Sequence, residues 1–150
     1  MDAVAVCAAL VASASLGWQV FSAVRANRTR LRISVANTFS FDGPISAENQ
    51  MLAIRLVNLS RHDVQMPGID VFQPTIQRGW PITETDSVDP PAAVLPARSS
   101  HLIRVRVERF IGLELGNAVE AHAVTATGET FRSQPVVVTA LEPDVPVHPD

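Results

Sequence analysis

The sequence predicts a mainly β chain, a single antiparallel β-sandwich preceded by one N-terminal transmembrane α-helix, and three observations carry that reading. Residues 3–24 contain no charged side chain, a run of twenty-two, and about 20 apolar residues in a helix cross a hydrocarbon core of about 30 Å. From Leu31 onward the apolar period drops to two, the mark of half-buried strands. Such stretches then recur at roughly ten-residue intervals with no helical period between them. The chain divides into 1–30 as membrane helix and Arg-rich junction, 31–139 as the β-domain, and 140–150 as a disordered Pro-rich tail.

In the helix the apolar residues fall on all sides, which suits a spanning segment better than an interfacial one with a single apolar stripe. Asp2 is the only charge before it, where a cleaved signal peptide would need a positive region. Arg25, Arg28, Arg30 and Arg32 follow the helix directly. Short Arg-rich flanks stay cytoplasmic, so the expected place is the cell membrane, with a single pass and the β-domain on the cytoplasmic side. Trp18 and Phe21 suit interfacial anchoring, and the four arginines suit topology and contact with anionic membrane lipid. Ala5, Ala9, Ser13 and Gly17 recur every four residues and place small side chains where a second helix could approach, giving a homodimer through the transmembrane helix. An Ala-rich helix also produces such stripes without pairing.

Leu31, Ile33, Val35, Phe39 and Phe41 alternate with polar or small residues and form the first strand, closed by a Gly43-Pro44 turn. Leu52, Ile54 and Leu56 form the second, which the polar run at 58–63 ends. Between 64 and 80 the pieces 64–66, 69–72 and 75–80 are short and split by Pro67-Gly68, and a Pro- and Asp-rich loop follows. Ile103, Val105 and Val107 alternate with Arg104, Arg106 and Glu108, giving one core face and one charged face. Residues 119–126 and 130–138 flank Thr127-Gly128-Glu129 and read as a hairpin, with Pro135 marking an edge or a bulge. About seven such strands point to the immunoglobulin-like kind of sandwich, without its Cys…Trp…Cys signature.

The chain carries twelve basic residues, all Arg, against fifteen acids, for a net charge of −3. From Ile33 onward eight Arg face fourteen acids, the wrong sign for a nucleic-acid binder. The lone Cys7 excludes an intrachain disulfide. No Gly-rich phosphate loop, His-Glu-x-x-His, paired-Cys zinc pattern or Gly-x-Ser-x-Gly elbow occurs, so no catalytic residue, metal ligand or cofactor is assigned. His62, His101, His122 and His148 are dispersed, Glu84, Asp86 and Asp89 read as solvated loop acids, and Asn58 and Asp63 as turn caps.

Taken together, "SLGWQVFS", "RLRISV", "RLVNLSRHDV", "LPARSSHLIRVRV" and "VEAHAVTATGETFRSQP" resemble uncharacterised actinobacterial membrane-anchored proteins with a small immunoglobulin-like β-sandwich domain. The resemblance implies a fold and an anchor and brings no functional residues. The expected function is a membrane-anchored noncatalytic interaction module with a protein partner. The alternative is a ligand-binding or enzymatic accessory domain with a loop-end pocket around 62–64 and 80–91.

Overall fold

The computed structural model describes the backbone of residues 3–26, 28–39, 50–85 and 87–139, and the side chains of 11–25 and 28–38 within its first two elements. The expected second half of the first strand, the Gly43-Pro44 turn and the 140–150 tail lie outside the described residues. The fold is mainly β with antiparallel sheets and one helix, α1 (Ala3–Ala26). Among the described residues no helix is long and apolar enough to cross a membrane.

Alternation sets the larger strands. β1 (Leu31–Phe39) pairs with β2 (Gln50–Asn58), which pairs with β7 (Ser100–Arg106). In β2 the side chains of Leu52, Ile54 and Leu56 are fully buried while Arg55 between them is exposed, the period-2 pattern of a sheet with one core face. A second sheet runs β10 (Val136–Val137), β8 (Ala118–Val124), β4 (Gly68–Gln73), β5 (Arg78–Pro81), with β9 (Thr130–Arg132) also on β8. β3 (Val64–Gln65) and β6 (Val94–Leu95) form a two-stranded pair. Ile33, Ile54 and Ile103 of the first sheet join Ile69, Val71, Val119 and Ala121 of the second in one apolar cluster.

Several local details differ from the sequence reading: the strand expected to run through Val107 and Glu108 ends at Arg106, and Val107–Arg109 form a 3-10 turn. The expected strand over 75–80 opens as a 3-10 turn at Pro74–Ile76, and only Arg78–Pro81 is extended. Gln77 ends that turn in the left-handed region at φ 52°, its side chain donating to the Pro74 carbonyl at 2.8 Å. The expected run over 130–138 is split at 133–135. There the Ser133 N–H donates to the Ala121 carbonyl at 2.9 Å, and the Ser133 Oγ accepts the Ala121 N–H at 2.9 Å. The hydroxyl thus takes the place of a ladder carbonyl just before Pro135, which has no N–H to give. β6, in a stretch expected to be loop, pairs two residues with β3.

Candidate functional site

The antiparallel register decides which turns share an end of the domain. Leu31 lies opposite Asn58, and Val57 opposite Ser100, so the start of β1, the end of β2 and the start of β7 meet at the end that follows α1. The turns at 58–63 and 96–99 are therefore neighbours of the Arg-rich junction.

Asn58 fastens these segments. It is fully buried, and its Nδ2 donates to the carbonyls of His62, Leu95 and Pro96 at 2.9, 3.0 and 3.0 Å, while Oδ1 accepts the Ser60 N–H at 2.9 Å. Two N–H groups thus serve three acceptors, so one is shared. Ser60 Oγ accepts the Arg30 N–H at 2.7 Å, and the Leu59 N–H donates to the Arg30 carbonyl at 2.8 Å. Asp63 Oδ1 accepts the Ala97 N–H at 2.9 Å and closes the link between the two turns. Asn58 and Asp63 act as the turn-binding residues that their place in the polar run suggested.

This framework fixes where arginines go. Arg30, Arg61 and Arg98 all reach the α1 end, and Arg98 does so from the left-handed region at φ 54°, which costs a non-glycine residue roughly 1–2 kcal/mol. Together with Arg25 and Arg28 they line a hollow of about 540 Å³, walled on the helix side by Trp18, Phe21 and Ser22 and on the domain side by Leu59 and Ser60. A second hollow of about 610 Å³ is lined by Phe21, Val24, Arg25, Arg28, Arg30 and Glu129. Trp18, Arg25, Arg28 and Arg30 are thus brought together. Arg32 is not among them: it lies on the outer face of the first sheet, lining a separate hollow of about 360 Å³ with Ser34, Arg55, Val57 and Leu59. Arg61 and Arg98 were not singled out from sequence. The signal was there in their positions, each in a turn bordering a strand that runs antiparallel to its neighbour.

The arginines divide by partner. Arg104 Nε lies 2.7 Å and Nη2 3.2 Å from the two oxygens of Asp89, and Arg106 Nη1 lies 3.5 Å from Glu108. The Arg104 hydrogen bond, reinforced by its charge and that of His101, holds the Asp89 carboxyl below the usual carboxylate range against the opposing effect of burial. Among the described residues no carboxylate forms an ion pair with Arg25, Arg28, Arg30, Arg61 or Arg98.

The other flagged residues are dispersed. His62 and Asp63 line a hollow of about 210 Å³ with Thr29, Val64, Gln65 and residues 125–127, below the roughly 300 Å³ of small-molecule sites. The 80–91 segment lies elsewhere: Trp80 packs against Phe110 at 5.8 Å, and Pro90 offers its carbonyl to His101 Nε2 at 2.8 Å. His122 stacks on Phe72 at 4.7 Å, with Glu120 3.7 Å from its Nε2. Among the described residues no three His, Cys, Asp or Glu side chains gather as metal ligands. Asp86 and His148 lie outside the described residues, as do the side chains of Ala5 and Ala9. Ser13 and Gly17 sit on the exposed surface of α1, and a Cβ on Gly17 would meet nothing within 4 Å. Chemically, the α1 end of the domain can concentrate positive charge beside an aromatic wall.

No protein-family model matches the chain, and no curated protein matches it. Among solved structures, the chain is similar to a crystal structure of a Bordetella pertussis protein described as ApaA, at 12% identity and a TM-score of 0.34, over 74% of this chain and 94% of that one. It is also similar to an X-ray structure of a structural-genomics target, at 10% identity and a TM-score of 0.33, over 83% of this chain and 98% of that one. Both likenesses fall below the level at which a shared fold follows.

Proposed function

We propose that the chain is a membrane-anchored, noncatalytic interaction module, with α1 spanning the bilayer and the β-domain on the cytoplasmic side as an immunoglobulin-like sandwich. One observation carries the anchor: α1 exposes Val11, Leu16, Trp18, Val20, Phe21 and Val24, each more than half accessible, and its described residues bury nothing against the domain. Leaving six such side chains in water forgoes on the order of 10 kcal/mol of transfer free energy, at about 1.5–3 kcal/mol each. A lipid environment recovers it. The uncharged run of twenty-two residues supplies the length, and the arginines after it supply the orientation. The apolar cluster shared by both larger sheets supports the sandwich. A second α1, packed along the small-residue face that includes Ser13 and Gly17, makes a dimer through the helix.

For a protein partner the module offers β1, a nine-residue strand at the end of its sheet, paired among the described residues on one side only, with β2. Strand addition there supplies main-chain hydrogen bonds without any pocket.

The test is fractionation together with reporters of cytoplasmic and external location fused after Asp150. Retention in the membrane after alkaline carbonate, with the cytoplasmic reporter active, is expected. Release by carbonate would remove the spanning helix, and activity of the external reporter would reverse the orientation and move the partner search to the cell envelope. A pull-down from mild detergent with crosslinking then addresses the partner, and failure to recover any specific protein would count against the β1 edge.

A further inference from the structure

We propose that the 540 Å³ hollow between α1 and the domain is a binding site for the phosphate-bearing headgroup of an anionic lipid, with Arg61 and Arg98 as its domain-side ligands. This rests on the membrane-anchored reading and adds to it a built site with a defined occupant.

Charge is the first ground. Arg25, Arg28 and Arg30 come from the junction, Arg61 from the 58–63 turn and Arg98 from the 96–99 turn, and none has a carboxylate partner among the described residues. Arg104 and Arg106, on the sheet face, do have partners. Five arginines lining one hollow concentrate positive charge that an anion in the space would offset, and guanidinium forks match phosphate oxygens in pairs. The second ground is preorganisation. The turn bearing Arg61 and the turn bearing Arg98 are locked together through buried Asn58 and through Asp63, and the 96–99 turn, closed by the Ser99 N–H on the Pro96 carbonyl, fixes Arg98 at φ 54°. The volume lies in the roughly 300–1,000 Å³ range of small-molecule sites.

Position selects lipid over a free anion. From Ala3 to Phe21 a helix rises about 28 Å, close to the hydrocarbon thickness, so Ser22 and Arg25 come at headgroup depth. Trp18 and Phe21 form the wall of the hollow on the membrane side. An occupant there has its phosphate among the arginines and its apolar portion along the indole and phenyl rings, the arrangement of a glycerophospholipid and not of a soluble phosphate.

The full chain in mild detergent is titrated with phosphatidylglycerol or phosphatidylcholine, and retained lipid is counted by native mass spectrometry. Phosphatidylglycerol is expected to bind as one tightly held molecule. At about 5-fold per guanidinium, R61Q together with R98G weakens it on the order of 25-fold, while R106Q with R109Q leaves it unchanged. Glycine suits the positive φ of position 98, and an unchanged melting temperature checks the fold; R61Q alone carries the test should the double variant melt early. Equal retention of phosphatidylcholine, or an equal loss in R106Q/R109Q, would overturn the site in favour of general charge. Displacement of phosphatidylglycerol by equimolar inorganic phosphate would overturn the lipid assignment and leave a free-anion site. Because the titration runs in micelles, its outcome is independent of whether α1 spans, which carbonate extraction decides.

Discussion

Asn58→Ala removes the polar pin of the α1 end without touching the apolar core. Two of its bonds are buried outright, that to the Leu95 carbonyl and that from the Ser60 N–H. Leaving a buried group unsatisfied costs about 1–3 kcal/mol. The His62 and Pro96 carbonyls are only part-buried and recover some of their loss from water. The sum is about 3 kcal/mol, which in a domain of this size lowers the melting temperature by roughly 10–15 °C.

Two readouts check it. Thermal unfolding gives the stability, and limited digestion with trypsin, which cuts after arginine, gives the location of the damage. Because the pin holds the turns that carry Arg61 and Arg98, cleavage after those two residues accelerates ahead of cleavage after Arg104, which lies within β7. Asn58→Asp keeps the acceptor for Ser60 but aims an ionised oxygen at three carbonyls, so at pH 7 it destabilises at least as much as alanine. A drop of less than about 3 °C in Asn58→Ala, with tryptic cuts at 61 and 98 unchanged, would refute the assignment of Asn58 as the pin.

Asp89→Asn loses the two-pronged contact with Arg104. Both side chains are about one-third exposed, so the expected cost at pH 7 is only about 0.5–1 kcal/mol. The Asp89 carboxyl titrates below its unfolded value, so the difference between wild type and variant is fully present above about pH 4 and disappears as pH falls through the folded value. Parallel melts across that range check it, and a difference that grows on acidification would contradict the pairing. Replacing Ala9 and Gly17 together by Ile fills the small-residue face of α1 with bulky side chains and is expected to reduce signal in a membrane self-association reporter severalfold; unchanged signal would remove the helix dimer.

Sequence period was a good guide wherever one face of a strand meets the core and the other meets solvent. β1, β2 and β7 obey that rule and were legible from alternation, while β8 was legible from the turn at 127–129 that follows it. It failed where side chains, not burial, set the backbone. Gln77 bonds the carbonyl three residues before it and Ser133 the main chain of Ala121 on the neighbouring strand, and each stops a strand that hydrophobicity alone would continue. β6 is two residues long and exists through its partner β3, a contact across thirty positions of chain that no local window contains.

The candidate site follows the same division. Arg25, Arg28 and Arg30 stand together in sequence, so their cluster could be read directly. Arg61 and Arg98 are far from them in the chain, and what joins all five is strand direction: with β1 leaving α1, β2 must return toward it and β7 must start beside it. Any residue at the β2 exit or the β7 entry then faces the helix end. Few of the acids follow. Asp63, the nearest carboxylate to these turns in sequence, spends an oxygen on the Ala97 N–H, while Asp89 and Glu108 sit with arginines on and beside the sheet face; Glu129 borders Arg25, Arg28 and Arg30 in the second hollow without forming an ion pair among the described residues. A domain that is acidic in total therefore turns a basic end toward its own apolar helix. Electrostatics alone does not favour that separation, since dispersing the arginines among the surplus acids would lower the self-energy of the folded chain. An anionic surface at the end of α1 reverses the sign of the argument, because the basic end then gains attraction and the acidic remainder is held away from the same surface.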